Sequence, residues 1–209
     1  MTVADTLPAA VRQWQAGGRM GANPFGRGFV PASPDPGDSP TIVLLHGFPS
    51  SSYDYREVTD RLVDRPWITL DFLGFGLSDK PRPHRYSLFE QADIVQFVLI
   101  QAGVKQVALI AHDMGTSVAT ELLARDIAGV LPFDLQRAVL SNGSVIIERA
   151  SLRLSQKVLR GPLGPLAARL ITERGFVRGF AELFSVATPL TAQEAHDQWA
   201  LLARCDGDR

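Results

Sequence analysis

Residues Val107 to Ala119 read Val-Ala-Leu-Ile-Ala-His-Asp-Met-Gly-Thr-Ser-Val-Ala, and this stretch predicts a buried strand that turns sharply into a helix. Apolar or small residues run up to Asp113, and an amphipathic pattern starts directly after it. The helix is predicted to turn inward the face formed by Val118, Ala119, Leu122 and Leu123. A strand that ends where a helix starts is typical of an α/β protein.

Small residues flank Asp113 on both sides of the predicted turn. Ala111 precedes it by two positions and Gly115 follows it by two. A nucleophile on a strained strand-to-helix turn needs this spacing, because larger neighbours would collide across the turn. Asp113 is therefore a candidate nucleophile, placed where helix N–H groups and the helix dipole favour a carboxylate. The alternative interpretation is an ordinary N-cap aspartate.

Length and composition indicate one α/β domain, or one domain with an insertion. The chain has 209 residues, of which 45% are hydrophobic, enough for a sizeable core. Its 21 basic and 22 acidic residues leave a net charge of −1, which favours neither nucleic acid nor an anionic membrane as partner. Cys205 is the only cysteine, and the sequence has no apolar run long enough to span a membrane. We therefore expect a cytoplasmic protein.

Strands and helices are predicted to alternate along the first two thirds of the chain. The predicted strands are Thr41 to Leu45, Trp67 to Leu70, the strand before Asp113, and Arg137 to Ser141. Between them, helices are predicted near Asp54 to Asp64, with Tyr55, Val58 and Leu62 on one face, and over Ser87 to Ala102, with Leu88, Ala92, Val95, Val98, Leu99 and Ala102 on one face. This alternation predicts a mostly parallel sheet with helices on both faces.

The two ends of the chain differ from this pattern. Before Thr41, we expect short strands or a small helix at Val11 to Trp14 and Phe29 to Val30, separated by a loop from Gly17 to Gly26. After Gly143 the sequence predicts only helices, broken at Gly161-Pro162, Gly164-Pro165 and Pro189. Thr191 to Glu194 is a capping-box pattern that opens a last helix. We therefore expect a core domain over residues 1–143 and a helical cap over residues 144–209.

Several motifs resemble the epoxide hydrolase and haloalkane dehalogenase branch of the α/β-hydrolase superfamily. They are His46-Gly-Phe-Pro after the first core strand, the Asp113 turn, Leu70-Asp-Phe-Leu-Gly-Phe-Gly, Ser78-Asp-Lys-Pro-Arg-Pro-His, and Phe89-Glu-Gln. Within that branch the chain most resembles the mesoderm-specific transcript protein group. The resemblance extends from about Thr41 to the C-terminus and implies an α/β-hydrolase fold.

The resemblance also implies roles for individual residues. The motif that shapes the oxyanion hole falls on His46, Gly47, Phe48 and Pro49. The backbone N–H groups of Phe48 and Met114 would be its two donors, and Asp113 would form an alkyl-enzyme ester. His46 would hold the loop, and we expect His112 to be structural as well. The implied partner is a small apolar substrate.

The sequence departs from both specific chemistries of the branch. Dehalogenases often hold the halide with a Trp after the nucleophile and an Asn in the loop, where this chain has Met114 and Phe48. Epoxide hydrolases use cap tyrosines, whereas Tyr53, Tyr55 and Tyr86 all precede the predicted cap. Epoxide hydrolase-like and dehalogenase-like activity remain open, and an esterase-type or C–C hydrolase is a further alternative.

The family order of nucleophile, acid and histidine predicts two further residues, for which the sequence has no candidates. His84 precedes Asp113, and His196 lies in a predicted cap helix. Asp206 and Asp208 are terminal. We therefore expect a chain that lacks the last strands and helix of the fold, and an inactive homologue acting as a binding or interaction protein is a competing hypothesis.

The residue patterns predict neither a cofactor nor a metal site. The four histidines lack ligand spacing, and Gly74 and Gly76 lack the third glycine of a phosphate-binding fingerprint. The sequence makes no prediction of oligomeric state.

Overall fold

The computed structural model describes residues 7–33, 39–143 and 171–206, beginning with a helix and a hairpin. Helix α1 (Ala9–Ala16) precedes the antiparallel strands β1 (Gly18–Asn23) and β2 (Gly26–Pro31). The loop expected from Gly17 to Gly26 is therefore wrong, because most of it is strand. A Cβ atom on Gly18 would lie 2.5 Å from the Phe29 ring, so this glycine permits close cross-strand packing.

A four-stranded parallel sheet forms the centre of the molecule. Its strands are β3 (Thr41–Leu45), β4 (Trp67–Thr69), β5 (Gln106–His112) and β6 (Asp134–Ser141), in the order β4-β3-β5-β6. An antiparallel bridge from Ala32 to Ile68 connects the end of the hairpin with β4. β3 and β5 are central, and the predicted parallel sheet is confirmed. This order brings the carboxyl ends of β3 and β5 together, where Leu45 pairs with Ala111.

Helices cover both faces of this sheet. Between β3 and β4 lie a 3₁₀ turn (Ser52–Tyr55) and the short helix α2 (Arg56–Thr59). On the other face, α3 (Leu88–Gln101) packs against α4 (Met114–Ile127). Because β3-α2-β4 crosses the sheet in the opposite direction from the later crossovers, right-handed connections place α2 opposite α3 and α4.

Two predicted helical segments differ in detail from the structure. The helix expected near Asp54 to Asp64 ends at Thr59, since the next N–H groups make shorter-range bonds, from Arg61 to Val58 O and from Leu62 to Thr59 O. At the start of α3, Leu88 is 42% exposed instead of buried.

The polar side of α3 explains the exposure of Leu88. Gln91 is buried and bonds both the N–H and the C=O of Leu73. The first turn of α3 therefore packs on a loop backbone rather than on apolar side chains. Further along, Ala92, Val95, Val98 and Leu99 are buried as predicted. In α4, Val118, Ala119 and Leu122 are buried, whereas Leu123 is only half-buried.

Two helices follow in the described C-terminal segment, α5 (Glu173–Ala181) and α6 (Ala192–Ala203). Thr191 caps α6 by accepting from the Glu194 N–H at 3.1 Å, at the position that the capping-box pattern predicts. The side chain of Glu194 bonds Arg56. Leu201 of α6 joins Val11, Phe29, Tyr53 and Leu77 in an apolar cluster. The division into residues 1–143 and 144–209 remains a prediction, and the breaks at Gly161-Pro162 and Gly164-Pro165 lie outside the described residues.

β6 lies at one edge of the described sheet. Its Val139 and Leu140 are 57% and 44% exposed. In the part of the chain that the structure covers, no helix is both long and apolar enough to cross a membrane.

Candidate active site

Asp113 lies between the end of β5 and the start of α4, in a backbone conformation that is rare for aspartate. Its φ is 49° and its ψ is −118°. Such a conformation costs about 1–3 kcal/mol and persists only where neighbouring bonds enforce it. The Asp113 N–H donates to Ser141 O at 3.1 Å, and the Thr116 N–H donates to Asp113 O at 3.0 Å. These bonds anchor the turn to β6 on one side and to α4 on the other.

The small residues around the turn permit a close approach between two chain segments. A Cβ atom on Gly115 would lie 2.4 Å from Leu45 O and 2.7 Å from His46 O. Ala111 is fully buried at the end of β5. The spacing that singled out Asp113 in the sequence therefore lets α4 start directly against the end of β3.

The loop that follows β3 presents a backbone donor to Asp113. The Phe48 N–H donates to Asp113 Oδ1 at 2.7 Å, the length of a hydrogen bond to a charged acceptor. Gly47 makes this possible, because a Cβ atom there would lie 2.6 Å from Cβ of Asp113. Met114 begins α4, so its N–H is among the first four of the helix, which have no partner within it. The structure thus brings Phe48, Asp113 and Met114 together.

His46 is buried behind this loop, and its two ring nitrogens contact backbone groups. Nε2 accepts from the Phe72 N–H at 3.0 Å, so the proton must be on Nδ1, which lies 2.8 Å from Gly47 O. Burial lowers the pKa of His46 below its ordinary value of 6.5, which keeps the ring neutral. The Nδ1–H bond orients the Gly47 carbonyl, and hence the peptide plane that carries the Phe48 N–H.

Asp71 is a buried carboxylate that the sequence analysis did not single out. Oδ1 accepts from the Ser52 N–H at 2.8 Å, and Oδ2 accepts from the Leu77 N–H at 2.6 Å. A Cβ atom on Gly76, whose φ is 50°, would lie 2.2 Å from Oδ2. Gly76 therefore lets the loop wrap around Asp71. An acidic residue directly after an apolar strand was the available signal.

The other histidines lie elsewhere. His84 Nε2 is 2.7 Å from Glu90 Oε1, and His196 Nδ1 is 3.5 Å from Glu173 Oε1. His112 is exposed at the end of β5. Within residues 7–33, 39–143 and 171–206, no group of three or more His, Cys, Asp or Glu side chains could hold a metal ion.

The residue whose N–H donates to Asp113 also carries an aromatic side chain. The Phe48 ring is 47% exposed and meets the Phe75 ring edge-on, with the centroids 6.2 Å apart. Phe75 in turn contacts the ring of His46. The described donor to the Asp113 side chain is thus a backbone group, and the rings of Phe48 and Phe75 form an apolar pair. Apolar side chains combined with a few polar groups are typical of a small-molecule site.

The chain is similar in sequence to several known proteins. Residues 40–161 match the family described as alpha/beta hydrolase fold. LipZ of Mycobacterium tuberculosis is 62% identical over 200 residues, which cover 96% of this chain and 69% of LipZ. Mesoderm-specific transcript protein of Mus musculus is 41% identical over 212 residues, which cover 97% of this chain and 63% of that protein.

A shorter match joins this chain to a haloalkane dehalogenase of Mycolicibacterium paratuberculosis. It is 38% identical over 111 residues, which cover 52% of this chain and 35% of the dehalogenase. The resemblance stated from the motifs is confirmed. It reaches further towards the N-terminus than Thr41, because the mouse protein matches over 97% of the chain.

Proposed function

The chain belongs to the α/β-hydrolase fold family, and we propose that Asp113 is the nucleophile of its hydrolase site. The observation that carries the proposal is the 2.7 Å hydrogen bond from the Phe48 N–H to Asp113 Oδ1. An aspartate that served only as an N-cap would accept from an N–H of its own helix, yet no such side-chain bond to α4 is made. The carboxylate is bonded by a different segment of the chain instead.

This bond assigns different tasks to the two carboxylate oxygens. Oδ2 would attack an sp³ carbon, forming a C–O bond. With an alkyl halide the carbon–halogen bond breaks and the halide departs with its electron pair, whereas with an epoxide a ring C–O bond breaks and its oxygen stays attached and takes a proton from water. The product is an alkyl ester of Asp113, with Oδ1 as its carbonyl oxygen. When water attacks the ester carbon, negative charge develops on Oδ1, which already faces the Phe48 N–H. The Met114 N–H would be the second donor, and collapse releases an alcohol and restores the carboxylate.

Hydrolysis of the ester also requires a general base. His46 does not fit this role, because both of its ring nitrogens are engaged by backbone groups. Family resemblance places the base after the nucleophile in chain order. The chain spans 69% of LipZ and 63% of the mouse protein, so the activity of the whole protein belongs to the proposal.

The proposed substrate class is a small apolar molecule with one electrophilic carbon, either an alkyl halide or an epoxide. The N–H of Phe48 donates to Asp113, and the ring of Phe48 forms an apolar pair with the ring of Phe75. The dehalogenase relative supports halide chemistry, while Met114 and Phe48 occupy the positions where dehalogenases often have halide donors. The two substrate types are therefore tested side by side.

Intact-mass spectrometry of the full chain tests the nucleophile. We expect incubation with short alkyl bromides to add one alkyl group, and incubation with terminal epoxides to add one hydroxyalkyl group, each mapped to the peptide that contains Asp113. Asp113→Asn should abolish the adduct, whereas the matched variant Asp93→Asn, at an exposed ion pair on α3, should retain it. An equal adduct on Asp113→Asn, or no adduct with any probe, would overturn the proposal. The second result would favour a binding or interaction protein.

A further inference from the structure

The 3₁₀ turn Ser52–Tyr55 is bonded to helix α6 through a buried polar pair. Tyr53 Oη donates to Asp197 Oδ2 at 2.8 Å, and the two residues are 1% and 2% exposed. Gln193 Nε2 donates to the other carboxylate oxygen at 2.8 Å. Burial raises the pKa of Tyr53, and its hydrogen bond to Asp197 raises it as well, so the phenol keeps the proton that it donates.

Further bonds flank this pair. Arg56 makes two hydrogen bonds to the Glu194 carboxylate, and Gln198 Nε2 donates to Asp54 Oδ1 at 2.7 Å. Lys80 Nζ donates to Leu201 O at 2.7 Å near the end of the helix. Because these contacts are distributed along α6, the helix has a defined position against the turn.

The same turn is also bonded to the elements that build the active site. Tyr55 Oη donates to Leu45 O at 2.9 Å, at the end of β3 where Gly115 approaches. The Ser52 N–H donates to Asp71 Oδ1 at 2.8 Å. Only residues 49–51 separate Phe48 from the turn. A shift of the turn is therefore passed directly to the loop that carries the Phe48 N–H.

We infer that Tyr53 and Asp197 are positioning residues, through which α6 holds the turn Ser52–Tyr55 and thereby aims the Phe48 N–H at Asp113. The inference rests on the proposed role of Phe48 as an oxyanion donor. Helix α6 then contributes to the geometry of the oxyanion hole, although it lies far from Phe48 in the sequence. Neither Tyr53 nor Asp197 needs to touch the substrate.

The amide proton of Phe48 gives a readout that requires no turnover. The sequence contains five Gly-Phe pairs, at Phe29, Phe48, Phe75, Phe176 and Phe180, so labelling with ¹³C-carbonyl Gly and ¹⁵N-Phe reduces the spectrum to five peaks. Phe48→Tyr identifies the peak by removing it. Asp113→Ala removes the acceptor and defines the direction in which the peak moves when the bond is lost. In a second sample labelled with ¹⁵N-Trp, the Trp199 indole N–H reports separately on α6.

Tyr53→Phe keeps the ring and removes only the donor. We expect it, and Asp197→Ala, to move the Phe48 peak in the direction defined by Asp113→Ala. Asp197→Asn should leave the peak at its wild-type position, because its oxygen can accept from the Tyr53 hydroxyl while its amide nitrogen donates to the side-chain oxygen of a rotated Gln193 amide. The matched control is Tyr86→Phe, which removes an exposed phenol bonded to Pro81 O, and it should leave the peak in place.

An unmoved Phe48 peak in folded Tyr53→Phe overturns the inference, whether or not the Trp199 signal shifts. Equal movement in Tyr86→Phe also overturns it, because the effect would then not belong to the Tyr53–Asp197 pair. Failure of the mass-spectrometric test alone removes the catalytic proposal and leaves the coupling of α6 to Phe48 intact. The two proposals can therefore fail independently.

Discussion

Gly47 and Asp113 are in direct steric contact: a Cβ atom on Gly47 would lie 2.6 Å from Cβ of Asp113 and 3.0 Å from its Oδ1. We expect Gly47→Ala to push the loop away, weaken the Phe48–Asp113 bond and cost about 1–3 kcal/mol of stability. Urea denaturation measures the cost. In the control, Gly179→Ala on α5 meets no atom within 4 Å and should stabilise by about 0.5–1 kcal/mol. Equal effects of the two changes would contradict the steric argument.

Gly115→Ala should be more damaging than Gly47→Ala. Its Cβ would lie 2.4 Å from Leu45 O, a backbone atom at the end of a central strand, which cannot rotate away as a side chain can. Alanine is the better helix former, by about 1 kcal/mol, so helix propensity alone predicts the opposite sign. The midpoint of urea unfolding, measured for both variants, decides between the two expectations.

Asp71→Asn should destabilise the protein by about 1–3 kcal/mol, because an amide has one acceptor oxygen for two facing N–H donors. Ser52 and Leu77 supply those donors. Asp93→Asn changes the same chemical group on a side chain that is 48% exposed and paired with Arg125, and it should cost less than about 1 kcal/mol. Thermal unfolding of both variants tests the difference, and similar losses would refute the role given to Asp71.

The stability of the protein should fall as the pH drops below 6.5, through His46. Burial lowers the pKa of this group in the folded state, so below its ordinary value of 6.5 the unfolded chain binds a proton that the folded chain does not. Stability therefore rises with pH in that window, by up to about 1.4 kcal/mol per pH unit.

His46→Gln removes the titrating group. The stability difference between wild type and His46→Gln should consequently shrink between pH 7.5 and pH 5. Denaturation of both proteins across this range measures it, with the exposed His196→Gln as control. A constant difference would show that His46 titrates alike in both states.

Local patterns predicted the elements that bury their residues against the sheet. β3, β5, α3 and α4 follow directly from apolar spacing, and the fold that they build is the one expected. The strand β1 was missed because its composition suggests a loop. Its Gly18 instead permits close packing against Phe29. The exposure of Leu88 was not predicted. The first turn of α3 packs against a loop backbone, and apolar spacing describes only contacts between side chains.

Some residues of the candidate site could be predicted from the sequence, and others could not. Asp113 is visible in the sequence because its small neighbours are local, whereas Phe48 and Met114 were assigned through family resemblance. Asp197 was not found. Its partner Tyr53 lies 144 positions earlier, and no short window of sequence contains both. Whether Asp113 acts as nucleophile and whether the protein is cytoplasmic remain predictions.

The long separation between α6 and its partners has a consequence for the order of folding. The paired residues of the parallel sheet are at most 66 positions apart, as in Thr41 and Val107, but Tyr53 and Lys80 meet α6 only by closing loops of more than 120 positions. Closing long loops is entropically costly and slows folding. During synthesis, the Tyr53 hydroxyl therefore waits without its carboxylate partner until residues beyond 190 have emerged from the ribosome. On our proposal, the Phe48 N–H is therefore aligned at Asp113 only after a segment that is made later than the residues of the sheet.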